Sequence, residues 1–289
     1  MHPGQRGEER IEPGEHLLGY VGSVSGSHGS SVPPASDNAP SATVSYHRCV
    51  SRPRPPRSYR AAVAIARPPV RLLTRPTHHG AEHLPGGGFI AAANHVTNFD
   101  PLTLLDFLTK AGCYPKMLAK ASLFRVPLLG PLLRSVGYIP VQRGTGSAAA
   151  SLTAAASALG AGECVSVFPE GTLTRDPDLW PMRAKTGAAR MALATGMPVV
   201  PIAQWGAHEV MARHASMIRP VLRRPVQVVA GPPVDLGDLA GRGEDPGAVR
   251  EATDRIMTAI TAQLAGIRGE RPPAEPFEWR PDPTAGYAQ

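Results

Sequence analysis

Short apolar runs alternate with longer helical patterns through the middle of the chain, from about residue 57 to residue 268. Six apolar runs have the length of buried strands: 89–93, 116–119, 137–141, 163–168, 198–203 and 226–230. Four longer segments carry a helical pattern: 100–110, 147–160, 184–196 and 247–265. This alternation of strands and helices predicts an α/β layered domain.

The two ends of the chain carry no periodic apolar pattern. Residues 1–56 are rich in Gly, Ser, Pro and His, and we expect a disordered tail, either dispensable or an extension from a start upstream of the true one. This segment has no apolar core of a secretory signal. Residues 269–289 are Pro-rich and are expected to be extended. The predicted organisation is one domain over 57–268 between two tails.

A histidine and an aspartate, separated by four residues, stand at the end of the first predicted strand. His95 follows the apolar run, and Asp100 with Pro101 has the cap and first-turn residues of the next helix. His95 is therefore expected at a strand's carboxyl end, where open α/β sheets place their chemistry. A carboxylate bonded to one ring nitrogen orients an imidazole as a general base. The alternative is a polar turn in which Asp100 only caps the helix.

Three further blocks follow this one in order. They are Gly-Tyr-Ile-Pro-Val-Gln-Arg-Gly at 137–144, Val-Ser-Val-Phe-Pro-Glu-Gly-Thr at 165–172 and Met-Pro-Val-Val-Pro-Ile at 197–202. With these four blocks the chain resembles the glycerolipid acyltransferase family, which includes the 1-acylglycerol-3-phosphate acyltransferases, over about residues 57–268. The resemblance implies a mixed, mostly parallel central sheet flanked by helices.

The resemblance also implies roles for single residues. His95 would be the general base and Asp100 its orienting partner. Arg143, with Glu170 and Gly171, would shape the pocket for the glycerol phosphate of the acceptor, because a guanidinium offers a planar fork of donors. Glu170 is expected to bond an acceptor hydroxyl or to anchor a cation. The full predicted substrate-binding set is Asn94, Lys120, Arg143, Glu170, Gly171, Thr172, Arg175 and Lys185.

The chain departs from the family pattern after Thr172. Leu173 stands where an Arg is common, and Arg175 comes two residues later. Either Arg175 takes over the phosphate contact, or the acceptor carries a different head group. Lys185 is expected to open an Ala-rich helix, where a cation is unfavourable unless an anion binds. The alternative for Lys185 is a solvated surface side chain.

The reaction implied is transfer of a fatty acyl group from an acyl-CoA or acyl carrier protein thioester to the sn-2 hydroxyl of 1-acylglycerol-3-phosphate, giving phosphatidic acid in phospholipid biosynthesis. A thiolate leaves readily, since the thiol has a pKa of about 8.5, so a base without a matched acid suffices. No cofactor is expected, and no metal is expected because the sequence has no histidine–carboxylate cluster at ligand spacing. Backbone amides near His95 or Gly171 are candidates for stabilising the oxyanion.

Other acceptors and other classes of protein stay open. Another lysophospholipid or a glycolipid is the first alternative acceptor. A lipid thioesterase acting as a serine hydrolase would need a Gly-x-Ser-x-Gly elbow, which the sequence lacks. A non-catalytic lipid-binding protein would not need the intact pair of His95 and Asp100.

The net charge of +7 favours an acidic partner. Low aromatic content (5%) and the lack of a recognisable motif argue against nucleic acid, so we expect an anionic membrane surface. Segments 57–75 and 123–136 mix apolar residues with Arg, and either bind this surface or pack on the core. Pro68 and Pro69 are expected to break the first segment into two short pieces.

The expected location is the cytoplasm, peripheral on the inner face of the cell membrane. No run of about 20 apolar residues is present, so no transmembrane helix is expected. The three cysteines are widely spaced and fit a reducing compartment rather than a disulfide framework.

Overall fold

The computed structural model describes residues 53–141, 147–215 and 217–279. The predicted N-terminal tail lies almost wholly outside the described residues. Arg143 also lies outside them. Helix α7 ends at Arg268.

Within these described residues, seven strands form one sheet in the order β1-β7-β6-β2-β5-β3-β4. Every neighbouring pair is parallel except β6 with β7, which is antiparallel. The expected mixed, mostly parallel sheet is therefore confirmed. The strands are β1 Thr74–His79, β2 Phe89–Ala93, β3 Lys116–Lys120, β4 Ile139–Val141, β5 Cys164–Val167, β6 Val199–Trp205 and β7 Arg224–Ala230.

Helices cover both faces of the sheet. They are α1 Arg57–Leu73, α2 Asp100–Lys110, α3 Leu129–Ser135, α4 Ser147–Gly160, α5 Gly187–Thr195, α6 Ala207–Val210 and α7 Pro246–Arg268. Ile90 and Ala92 of β2 pack with residues of α4, α5 and α7, whereas Phe89, Ala91 and Ala93 pack with residues of α2. Because β2 is buried on both faces, its sequence is a continuous apolar run rather than an alternating one.

Strand β1 was missed because its sequence, Thr-Arg-Pro-Thr-His-His, is polar. It is an edge strand whose partner in the sheet is β7, and edge positions tolerate proline and charge. Strand β4 begins at Ile139 rather than at 137, since Gly137 has a φ of 73° and stands in a left-handed turn. Helix α5 is shorter than the predicted 184–196.

Helix α1 is continuous, although two short pieces were expected from Pro68 and Pro69. One face of the helix buries Tyr59, Val63 and Val70 against the domain. Arg67, directly before the prolines, donates from Nε to Oδ1 of Asp106 at 2.9 Å. Tertiary packing on both sides of the prolines therefore holds the helix together despite the two backbone donors that they remove.

Candidate active site

The candidate site lies where the carboxyl ends of β2, β5 and β6 meet. These three strands are parallel neighbours, so their ends share one edge of the sheet. The turn 94–99 follows β2, the segment 168–171 follows β5, and Trp205 ends β6. His95 therefore stands at a strand's carboxyl end, as its sequence context predicts.

His95 and Asp100 are in direct contact. Nδ1 of His95 lies 3.1 Å from Oδ2 of Asp100, and the two side chains are 15% and 2% exposed. The same oxygen accepts from the amides of Val96 at 2.6 Å and Thr97 at 2.8 Å. Asp100 is thus both the cap of the turn and the partner of the imidazole. A neutral imidazole that donates from Nδ1 has its lone pair on Nε2, so Nε2 is the basic atom.

The face of the His95 ring is covered by Phe168. The two rings are stacked with centroids 4.0 Å apart and planes 18° from parallel. Phe168 comes directly after β5 in the Phe-Pro-Glu-Gly-Thr block, so this block supplies a wall of the site. The stack limits rotation of the imidazole about its side-chain bonds.

Glu170 holds two backbone segments together. Its Oε1 accepts from the amide of His95 at 2.9 Å, and its Oε2 accepts from the amide of Met182 at 3.1 Å. The side chain is 1% exposed. Burial raises the pKa of Glu170 to about 8, against the effect of the two amide bonds, which favour the charged form. Its carboxylate thus faces backbone amides, rather than the acceptor hydroxyl or the cation that was expected.

Asn94 is also buried and faces β6 rather than an open pocket. Its Nδ2 donates to the carbonyl of Gln204 at 3.1 Å, and its Oδ1 accepts from the amide of Gln204 at 2.8 Å. The side chain of Gln204 donates to the carbonyl of Asn94 and accepts from Thr103. Sequence reasoning missed Gln204. The available signal was a polar amide directly after the apolar run 198–203, which needs a buried partner.

Residues 171–186 complete the connection from β5 to α5 and are here called the acceptor loop, after the role that the sequence predicts for them. Gly171 has a φ of 71°, and a Cβ there would lie 3.0 Å from Cδ of Lys185. The exposed Lys185 side chain therefore lies over Gly171, while Thr172 is half-buried. Lys185 does not open a helix, since α5 begins at Gly187. Its ammonium still stands beside the segment that carries Glu170.

Arg175 is exposed on the same loop, and the residue before it is hydrogen-bonded to the backbone of His95. The amide of Thr174 donates to the carbonyl of His95 at 2.7 Å, and Leu173 is buried. Arg213 follows β6 and donates to the carbonyls of Thr174 and Asp176. Sequence reasoning missed Arg213. Desolvation, with the charges of Arg175 and Arg213, lowers the pKa of His214, so positive charges gather here.

Lys120 ends β3, which runs parallel to β5, so it reaches the same edge of the sheet. The amides proposed for the oxyanion are already bonded within the protein. Those of His95, Val96 and Thr97 donate to Glu170 or Asp100, and that of Gly171 donates to the carbonyl of Phe168 at 2.9 Å. These four amides are therefore not free to stabilise an oxyanion.

Large apolar side chains are exposed at several places on the described residues: Ile65, Leu72, Leu123, Val126, Leu128, Leu132, Met217, Ile218, Leu222 and Trp279. Strands β1 and β7 run opposite to β6, so their first residues, next to Leu72 and Leu222, lie at the active-site edge. Within the part of the chain that the structure describes, no helix combines the length and apolarity that crossing a bilayer would need.

Part of the chain is similar in sequence to known acyltransferases. A model of the acyltransferase family matches residues 75–205. The chain is 35% identical over 125 residues to a 1-acyl-sn-glycerol-3-phosphate acyltransferase of Borreliella burgdorferi, covering 43% of this chain and 48% of that protein. It is 32% identical over 118 residues to the protein of that name from Salmonella typhimurium, covering 40% and 46%. The matched part is thus about half the length of these curated relatives.

Among solved structures, the crystal structure of the 1-acyl-sn-glycerophosphate (LPA) acyltransferase PlsC from Thermotoga maritima is similar with a TM-score of 0.58. The match covers 74% of this chain and 81% of that chain at 21% sequence identity. At this identity the likeness establishes the fold.

Proposed function

We propose, from the match of residues 75–205 to a model of the acyltransferase family, that the protein transfers a fatty acyl group from a thioester to the sn-2 hydroxyl of 1-acylglycerol-3-phosphate, giving phosphatidic acid. The observation that carries the proposal is the contact of the partly exposed His95 with the buried Asp100, 3.1 Å apart at the carboxyl end of β2. Acyl-CoA and acyl carrier protein are the two thioesters proposed as donors.

In the proposed reaction, Nε2 of His95 removes the proton of the acceptor hydroxyl while its oxygen attacks the thioester carbonyl. Asp100 stabilises the imidazolium that forms. The tetrahedral intermediate then collapses, the carbon–sulfur bond breaks, and the thiolate leaves and takes the proton from His95. The products are the ester and a free thiol, and no acyl-enzyme forms.

The positive groups on the acceptor loop support an anionic acceptor. Arg175 and Lys185 are exposed on this loop, and Arg213 binds its carbonyls. A phosphate monoester carries about two negative charges near neutral pH and is bound well by guanidinium groups. Arg143 is proposed to add a further donor to this site. The buried Leu173 faces inward, so it does not compete for the head group.

The exposed apolar residues around the site support peripheral binding to an anionic membrane surface. Leu123, Val126 and Leu128 follow the carboxyl end of β3, and Arg125 stands among them. The carbonyl of Leu72 accepts from the amide of Arg223 at 3.2 Å, so the end of α1 and the segment before β7 form one surface. Apolar side chains with interspersed Arg are the composition of an interfacial site.

The test is thiol release from palmitoyl-CoA and from palmitoyl-acyl carrier protein by the purified protein in detergent. Each donor is tried without acceptor, with lysophosphatidic acid and with lysophospholipids of other head groups. The expected result is release that depends on lysophosphatidic acid and falls at least about a thousandfold in His95→Ala. His79→Ala is the matched control, because His79 is exposed on β1 at the opposite edge of the sheet.

Each other outcome assigns a different activity. Release without any acceptor indicates a thioesterase. Release only with another lysophospholipid or a glycolipid indicates a different acceptor. Lipid binding without release indicates a non-catalytic protein, and full activity of His95→Ala removes the base from the mechanism.

A further inference from the structure

The C-terminal segment, residues 269–279, lies along the acceptor loop. It has no assigned helix or strand over its described residues, yet it makes two contacts with the loop. The amide of Arg183 donates to the carbonyl of Phe277 at 2.9 Å. The guanidinium carbon of Arg175 lies 5.2 Å from the centre of the Trp279 ring. The segment expected to be an extended tail therefore reaches the residue expected to bind phosphate.

The start of the segment is fixed to the same loop. Arg268, the last residue of α7, lies between the rings of Trp180 and Trp205, at 4.0 Å and 4.5 Å from their centres. It donates to the carbonyl of Asp178 at 2.8 Å and pairs with Glu270. Because its side chain is 8% exposed, this contact is shielded from solvent. The C-terminal segment therefore leaves α7 in a defined direction, toward the acceptor loop.

The acceptor loop is in turn hydrogen-bonded to the turn 94–99, which carries His95. Thr174 donates to the carbonyl of His95 at 2.7 Å, and Met182 donates to Glu170, which also binds the amide of His95. Arg175 is the next residue after Thr174. The backbone next to Arg175 is thus hydrogen-bonded to His95. The guanidinium of Arg175 contacts the ring of Trp279, from another part of the chain.

A guanidinium that lies over an aromatic ring is well suited to bind phosphate. The cation–π contact restricts the side chain and leaves N–H donors of the guanidinium to bind an anion. An unstacked Arg on an exposed loop would lose more side-chain entropy on binding. We propose that Trp279 is a positioning residue that orients Arg175 toward the phosphate of the acceptor, which brings this ring, at the end of the C-terminal segment, into the acceptor site. This inference rests on the proposed function.

The first experiment compares steady-state kinetics of Trp279→Ala and Trp279→Phe with the wild type. In Trp279→Ala the KM for lysophosphatidic acid is expected to rise about three- to fivefold, the effect of one cation–π contact at a partly exposed site. The kcat and the donor KM stay within about twofold. Trp279→Phe retains an aromatic face and is expected to restore most of the acceptor affinity. Glu275→Gln, an exposed change in the same segment, is the control and leaves all constants unchanged.

A double-mutant cycle tests whether Trp279 acts through Arg175. Arg175→Ala alone is expected to raise the acceptor KM about tenfold, and adding Trp279→Ala then changes it by less than about twofold. Full additivity, an unchanged KM in Trp279→Ala, or equal rises in the acceptor and donor KM would overturn the inference.

A binding measurement separates this inference from the proposed function. Calorimetric titration with glycerol 3-phosphate needs no turnover, and weaker binding in Trp279→Ala than in Glu275→Gln supports the positioning role. Equal affinity in the two variants, or no binding to the wild type, overturns it. A wild type that binds glycerol 3-phosphate in this pattern but acylates no lysophosphatidic acid refutes only the proposed function.

Discussion

Replacing Glu170 by Gln tests how the buried carboxyl supports His95. Burial raises the pKa of Glu170 from 4.5 to about 8 in the folded protein. The native state therefore binds this proton more tightly than the unfolded chain does. The contribution of Glu170 to the free energy of unfolding is therefore fully present below pH 4.5 and is lost as the pH rises toward 8. The difference between the two pKa values corresponds to at most ~5 kcal/mol of unfolding free energy, at about 1.36 kcal/mol for each pKa unit.

The Glu170→Gln substitution would remove this titration and also one acceptor. Glu170 accepts from the amides of His95 and Met182 through different oxygens, whereas a Gln side chain has a single carbonyl oxygen. One buried amide then lacks its acceptor, at a cost of about 1–3 kcal/mol. The variant is therefore expected to be less stable than the wild type at pH 5. The difference should shrink or change sign by pH 9.

The assay is urea unfolding of both proteins between pH 5 and pH 9, followed by circular dichroism. The difference in unfolding free energy between wild type and variant isolates the contribution of Glu170 from that of other titrating groups. A difference that does not change with pH would refute the raised pKa. A variant as stable as the wild type at pH 5 would refute the bridging role of the two oxygens.

Three further changes probe other parts of the molecule. Asp100→Asn removes a charge 3.1 Å from His95, worth at most ~5 kcal/mol at an effective dielectric of about 20, so kcat should fall about a thousandfold while urea unfolding changes far less. Burial lowers the pKa of His78 to about 4, so stability is lost as the pH falls below about 6.5, and His78→Gln should reduce that loss by on the order of 2 kcal/mol in acid unfolding curves. Leu128 is 89% exposed with a φ of 65°, so Leu128→Gly should raise the unfolding free energy by about 1 kcal/mol yet weaken sedimentation with anionic vesicles. The reasoning would be contradicted by a wild-type kcat in Asp100→Asn or by an unchanged loss of stability at acid pH in His78→Gln. Unchanged vesicle binding in Leu128→Gly would contradict it as well.

The fold could be predicted where local pattern and burial agree. Strand β2 and helix α2 have the bounds that their sequences predict, because β2 is apolar throughout and Asp100-Pro101 marks a helix start. Strand β1 could not be found this way, since an edge strand with polar side chains has no apolar period. The continuity of α1 through Pro68 and Pro69 depends on contacts with α2 that a local pattern does not contain.

The site was predictable as a set of residues, but less so in the direction that each side chain faces. His95 and Asp100 are five positions apart, and a short turn is enough to join them. Glu170 and Asn94 are polar residues in blocks that resemble an acyltransferase, which suggested contact with substrate. Their actual partners, Met182 and Gln204, are set by how the ends of β5 and β6 meet β2. Such partners are distant in sequence, so no spacing rule identifies them.

This distribution of contacts separates two kinds of functional residue at the site. Asn94, Asp100 and Glu170 are each 1% exposed and hold the turn that carries His95, whereas Arg175 and Lys185 are exposed on the acceptor loop. Substitutions in the buried group should therefore lower kcat through the placement of His95, with little change in the acceptor KM. Substitutions in the exposed group should act mainly on the acceptor KM. The acceptor loop is bonded to His95 through the amide of Thr174 and through Glu170, which accepts from both His95 and Met182, so the two effects meet at these contacts.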